Sequence, residues 1–94
     1  MPRNYTKVIV NPVAGSGAVG KDWPRFAGWL EEAGLSFDCE FTKCSGHAQE
    51  IATEAVSSGY RCLIAIGGDG TVGEVANGIL CSTRPQDVAL GLLS

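Results

Sequence analysis

No run of like charge breaks the sequence, no Cys-x-x-C pair occurs in it, and no apolar stretch nears the roughly 18 residues that a membrane span needs. Each absence removes a class of function. Lys and Arg number 7 against 10 Asp and Glu, for a formal net charge of -3. The cations are scattered from Arg3 to Arg84, whereas phosphate-backbone binding needs them clustered. No nucleic-acid partner is expected, and the charges read as solvated faces. Without Cys-x-x-C spacing, the four cysteines offer no zinc or redox site. Cys39, Cys62 and Cys81 stand in apolar contexts and are expected to be small buried residues. Four reduced thiols suit a cytoplasmic setting. The opening "MPRNYTK" is polar and the apolar run after it is short, so it does not read as a signal peptide. Membrane contact, if made, is then peripheral, at the inner face. At 94 residues the chain is one domain or part of one.

What is present is a regular alternation of patterns. "TKVIV" (6–10) is β-branched and apolar, a buried strand ended by Asn-Pro. Asp22 is placed to cap a helix with Pro24 in its first turn, carrying Trp23, Phe26, Ala27 and Leu30 on one face and stopped by "AG" at 33–34. "LSFDCEFT" (35–42) alternates strictly, with Leu35, Phe37, Cys39 and Phe41 on one side, and reads as a half-exposed edge strand. From Gly46 a second helix gathers Ala48, Ile51, Ala52, Ala55 and Val56 in one stripe. "CLIAI" (62–66) is unbroken and suits a central strand. A third helix follows, with Val72, Val75, Ala76, Ile79 and Leu80 as its stripe, and "VALGLL" (88–93) is another buried strand. The order β-α-β-α-β-α-β predicts an α/β fold with three αβα layers and an open parallel sheet. With the half-exposed strand at an edge, the spatial order is 2-1-3-4. Ligands in such sheets bind beyond the strands' carboxyl ends where strand order reverses. That point lies between "NPVAGSG" and "GGDGT".

The first loop matches two phosphate patterns at once. "GSGAVG" (15–20) fits the dinucleotide turn, but Asn11, Pro12, Val13 and Ala14 separate it from the strand, where that turn needs a glycine at once. Asp38 or Glu40 could serve as its ribose-binding acid. "GSGAVGKD" fits a P-loop except that Asp22 replaces the magnesium-binding hydroxyl. "GGDGT" (67–71) is more specific. Glycines around an acid, at a helix start, allow close backbone approach and favour an anion. Asp69 would repel phosphate unless a divalent cation or a reacting hydroxyl proton lies between. The loop therefore reads as a nucleotide-phosphate cradle with an acid for magnesium. The plainer reading is a tight turn whose Asp69 caps the helix.

"NPVAGSG", "TKCSGHA" (42–48) and "GGDGTVGEVANG" (67–78) together resemble the diacylglycerol kinase catalytic domain family, which includes bacterial lipid kinases, sphingosine kinases and ceramide kinases. The motifs stand in family order and span most of the chain. "GGDGT" alone would also admit NAD kinases, which look like distant relatives of the same fold. The resemblance implies an ATP- and magnesium-dependent transfer of the γ-phosphoryl group to a hydroxyl of diacylglycerol or a related lipid. It implies that Asn11, Pro12 and Gly15 shape the first loop around ATP and that Thr42 touches the nucleotide. Gly67, Gly68, Asp69, Gly70 and Thr71 would hold the phosphates and magnesium, with Asp69 as metal-binding and catalytic acid. Glu74 would point back at the nucleotide, and Asn77 and Gly78 complete the helix signature. His47 matches the family's "GHA" and reads equally as an exposed helix-start residue. Gly73 departs from the family's usual Asn.

The family continues past a strand like "VALGLLS" into a Gly-Thr-x-Asn-Asp segment. A mostly β domain then supplies the lipid site and the acceptor-activating acid. Residues 1–94 are thus expected to be the amino-terminal ATP-binding part, inactive alone, with the lipid acceptor met through a carboxy-terminal domain that this sequence does not include. An apolar last strand would leave a sheet edge able to pair with a second copy. Two other readings stay open at this point: a non-catalytic nucleotide-binding fragment completed by a partner chain, and an NAD(P)-binding Rossmann half.

Overall fold

A computed structural model of the chain describes residues 6–82 and 88–93; Arg3 and Arg84, the ends of the basic scatter, lie outside them. The elements are β1 (Thr6–Val10), α1 (Ala18–Glu32), β2 (Phe37–Phe41), α2 (His47–Ser58), β3 (Cys62–Ile66), α3 (Asp69–Leu80) and β4 (Ala89–Leu93). The four strands form one parallel sheet in the order β2-β1-β3-β4. This is the expected order, with the reversal between β1 and β3. No helix among the described residues is long and apolar enough to cross a membrane.

Strand alternation divides the core in two. Ile9, Leu63 and Ala65 face α2 and α3, packing with Ala48, Ile51, Ala52, Ala55, Val56, Val75 and Ile79. Val8, Val10 and Ile66 face the other way, under the half-buried Val19, Trp23, Phe26 and Leu30 of α1. Full burial of each Val, Ile or Leu contributes about 1.5–3 kcal/mol before entropy is counted. The α2 stripe is buried at all five expected positions. No residue of α1 is fully buried, so this helix is held by a looser, aromatic layer. The Trp23 ring meets Phe37 and Phe41 edge-on at 6.1 and 6.2 Å.

Four expectations need correction. First, α1 starts four residues before Asp22. Gly15, Ser16 and Gly17 all take positive φ, turning the chain straight into the helix at Ala18. Gly17 is the N-cap, Pro24 sits inside the helix, and Asp22 forms an exposed ion pair with Arg25 at 3.5 Å. Second, the cysteines are not core residues. All four are free, Cys39, Cys44 and Cys81 are exposed, and Cys62 is half-buried. Third, edge position leaves the inward side of β2 thinly covered, so Phe41 remains 44% exposed. Fourth, the buried line of α3 runs through Thr71, Val75, Gly78 and Ile79, while Leu80 is 71% exposed. The helix is rotated by one residue from the apolar stripe because its contact with α2 passes over Gly78. A Cβ there would stand 2.5 Å from the Gln49 carbonyl oxygen and 2.6 Å from the Ala52 methyl. Thr53 Oγ1 lies 3.0 Å from the Gln49 carbonyl oxygen and 3.1 Å from that of Gly78, pinning the crossing.

Candidate functional site

Three loops meet beyond the carboxyl ends of β1, β2 and β3. They enclose a cleft of about 310 Å³ lined by Asn11, Val13, Thr42, Lys43, Cys44, Ser45, Ala48, Gly70, Thr71 and Glu74. The strand ends are tied to one another first. Asn11 N donates to Ile66 O at 2.9 Å, and Thr42 N donates to Val10 O at 2.8 Å. Parallel pairing therefore brings the loops after three different strands to one rim.

The Asn11 side chain joins two of these loops. Its Oδ1 accepts from Val13 N at 3.2 Å, which leaves Nδ2 to donate to Thr71 Oγ1 at 3.1 Å. Thr71 is only 5% exposed, and its oxygen is occupied as an acceptor. Its own O–H remains a donor beside the cleft. Gly67 is buried beneath Thr71: a Cβ on Gly67 would sit 2.5 Å from Thr71 Oγ1. Gly20 backs onto the first loop, donating to Pro12 O at 3.0 Å. A Cβ there would come within 2.7 Å of that oxygen. The third glycine of "GSGAVG" thus docks α1 on its own entry loop.

At the start of α3, Gly68 is the N-cap in extended conformation, and no side chain caps the helix. The N–H groups of Asp69, Gly70 and Thr71 have no acceptor within a helix beginning there. Gly68, Asp69 and Gly70 are exposed. Asp69 is the first helical residue and not the cap, so the plainer turn-and-cap reading of "GGDGT" fails on its carboxylate. Among the described residues no three His, Cys, Asp or Glu gather to hold a metal. A lone exposed carboxylate suits magnesium arriving with phosphates and waters, since that ion needs only one or two protein carboxylates.

Of the residues singled out in the sequence, Asn11, Thr42, Gly70, Thr71 and Glu74 line the cleft, and Pro12, Gly15, Gly67, Gly68 and Asp69 are not among its lining residues. Glu74 Oε1 accepts from Gly46 N at 3.2 Å. His47 Nδ1 accepts from Lys43 N at 2.9 Å. Residue-by-residue reading passed over Val13, Lys43, Cys44, Ser45 and Ala48. The signal for the last four was membership of "TKCSGHA", and for Val13 its place inside "NPVAGSG".

The acids of the dinucleotide reading are engaged elsewhere. Tyr60 Oη donates to Asp38 Oδ2, and Glu40 pairs with Lys7 at 3.1 Å. Lys7 also lies over the Tyr60 ring, 5.5 Å from its centroid. This cluster fastens the edge strand to the α2–β3 turn. Burial first, then the Asp38 bond and charge, then Glu40, push the Tyr60 phenol from 10.0 up to about 12. The folded state thus keeps a proton that the unfolded chain loses. The resulting stability is whole below pH ~10 and is lost as pH rises through about 12. Tyr60→Phe is expected to cost about 1 kcal/mol at pH 7 and to remove the phenolate component near pH 12 from an ultraviolet titration.

The diacylglycerol kinase catalytic domain model matches residues 6–94. A diacylglycerol kinase of Staphylococcus saprophyticus is 34% identical over 91 residues, covering 97% of this chain and 29% of the relative. One from Staphylococcus aureus strain JH9 is 35% identical over 91 residues, covering 97% of this chain and 28% of the relative. A solved diacylglycerol kinase structure from Bacillus anthracis superposes with a TM-score of 0.78 at 28% identity, over 98% of this chain and 31% of that one. This chain therefore spans under a third of the length of these relatives. With its motifs in order on the shared fold, the chain belongs to the diacylglycerol kinase catalytic domain family.

Proposed function

We propose that this chain is the ATP-binding part of a lipid kinase that moves the γ-phosphoryl group of ATP to a hydroxyl of diacylglycerol or a related lipid. The observation that carries the reading is a pair of glycines that the fold does not require. Cβ atoms on Gly68 and Gly70 would meet nothing within 4 Å, and neither residue takes a positive φ. Gly70 stands in the first turn of α3, where its backbone conformation is open to alanine as well. Open space over free helix-start N–H groups is what a phosphate chain needs. Asn11, Pro12 and Gly15 form the first wall, and Thr42 meets the nucleotide. Thr71 donates its hydroxyl proton to a phosphate oxygen. Gly67 leaves room for Thr71, and the N–H groups from Gly68 onward take the phosphates. Asp69 holds magnesium, which when bound neutralises charge on the transferring group. The lipid acceptor and the acid that activates it belong to the remaining two thirds of the relatives' length. The 94 residues alone are expected to bind ATP without rapid transfer. A cytoplasmic protein with peripheral contact at the inner membrane face fits this role.

The test compares two alanines. Gly70→Ala should raise stability by about 0.5–1 kcal/mol and weaken magnesium-ATP binding by about tenfold or more. Gly28→Ala, in α1 and equally free of neighbours, should give the same gain in thermal melting with no change in ATP affinity. Equal ATP affinity in all three proteins would remove the case for a phosphate cradle.

A further inference from the structure

β2 is the outermost strand of the sheet, and among the described residues no strand pairs with its outer side. Thr42 N donates inward to Val10 O. By the two-residue period of a strand, the N–H and C=O groups of Asp38 and Glu40 also point at β1, and those of Cys39 and Phe41 point away from it. Cys39 and Phe41 are both exposed. The two faces beside this open edge differ in chemistry. On one, Phe37 and Phe41 lie against Trp23. On the other, a groove of about 580 Å³ lies between the sheet edge and α2, lined in part by Lys7, Glu40, Glu54, Ser57, Ser58 and Tyr60. It shares no lining residue with the cleft at the carboxyl ends of the strands. Lys7 is paired with Glu40, and Tyr60 donates to Asp38, so the carboxylates of Asp38 and Glu54 leave this side of the edge negative.

We propose that β2 is a docking edge for an extended segment of a separate protein, one that alternates basic and apolar residues. Main-chain hydrogen bonds to Cys39 and Phe41 add this segment to the sheet as a fifth strand. Its apolar side chains cover Phe41, and its cations face Asp38 and Glu54. Charge selects this occupant over a second copy of the chain. Two copies of β2 laid antiparallel about Cys39 set Asp38 opposite Glu40, and like charges directly opposite are destabilising. The edge thus repels its own kind while its backbone stays open. An acidic strand meets the same repulsion, and a purely apolar one leaves the carboxylates of the groove unmatched.

Amide exchange of the ¹⁵N-labelled chain, with and without a synthetic Lys-Val-Lys-Val-Lys peptide, tests this. At saturating peptide the Cys39 and Phe41 amides should exchange about fivefold more slowly or better, the worth of roughly one hydrogen bond each. Asp38 and Glu40, whose amides already face β1, should change little. A Glu-Val-Glu-Val-Glu peptide should protect neither Cys39 nor Phe41. Glu54→Lys, at an exposed position of α2, should weaken the basic peptide by about threefold or more, and added salt should weaken it in the parent. No protection of Cys39 and Phe41 by the basic peptide, whether or not it binds elsewhere, would overturn the proposal. Equal protection by the acidic peptide would overturn it too. So would a parent chain that is dimeric by light scattering with these two amides already protected, because a second copy would then hold the edge.

Discussion

Asp69→Asn is expected to separate magnesium from the fold. The side chain is exposed at the first position of α3 and makes no capping bond. Removing its charge should therefore cost only the interaction with the helix dipole, about 0.3–1 kcal/mol. Binding should change far more. In the presence of magnesium, ATP affinity should fall by at least about tenfold, near 1.4 kcal/mol. Without magnesium the variant should bind ATP as well as the parent or better, since a carboxylate beside the phosphates no longer repels them. In a complete kinase the same change should lower kcat by about 10²–10³, the usual scale for deleting one electrostatic element of a transition-state site. Calorimetric titration with and without magnesium checks the binding claim. Unchanged affinity with the metal present would reduce Asp69 to a helix-dipole residue.

Gly78→Val should act on the fold alone. The α2–α3 crossing leaves no room for even one methyl group at Gly78, where a Cβ would lie 2.5 Å from a backbone oxygen. That oxygen belongs to the backbone of Gln49 in the first turn of α2 and cannot rotate away as a side chain could. Valine adds two further methyl groups, so α3 must lift from α2. The expected cost is about 3 kcal/mol or more, a large part of the stability of a domain this size. Urea denaturation should show the midpoint falling sharply. Gly78→Ala should fall between parent and valine. A midpoint unchanged in both would mean that the helices do not cross at this glycine.

These two residues mark what was legible in the sequence. The sheet order followed from two strands, because strict alternation in 35–42 marks an edge and the unbroken "CLIAI" marks a centre. The α2 stripe was read correctly because Ala and Ile can only be buried together on that face. The α3 stripe was misread by one residue because the deciding contact is made by Gly78, which carries no hydropathy signal. The start of α1 was misplaced for a similar reason. Asp22 and Pro24 look like a helix opening, but the turn is made earlier by Gly15, Ser16 and Gly17 through backbone angles. Asp38 looked like a ribose acid until the fold supplied Tyr60, which lies 22 residues away. The candidate cleft was legible as loops after three strands that meet at one rim. The Asn11–Thr71 and Gly46–Glu74 bonds were not legible, since they depend on contacts between loops that only the sheet brings together.

The central claim is that the rim at the start of α3 receives the phosphates of ATP. Its most direct test is a ¹⁵N–¹H amide spectrum of this chain titrated with magnesium-ATP, with NADH as the competing ligand. The expected result is that the Gly68 and Gly70 amides shift saturably with ATP and do not respond to NADH. Shifts with NADH alone, or a well-dispersed spectrum in which those amides ignore ATP, would contradict it.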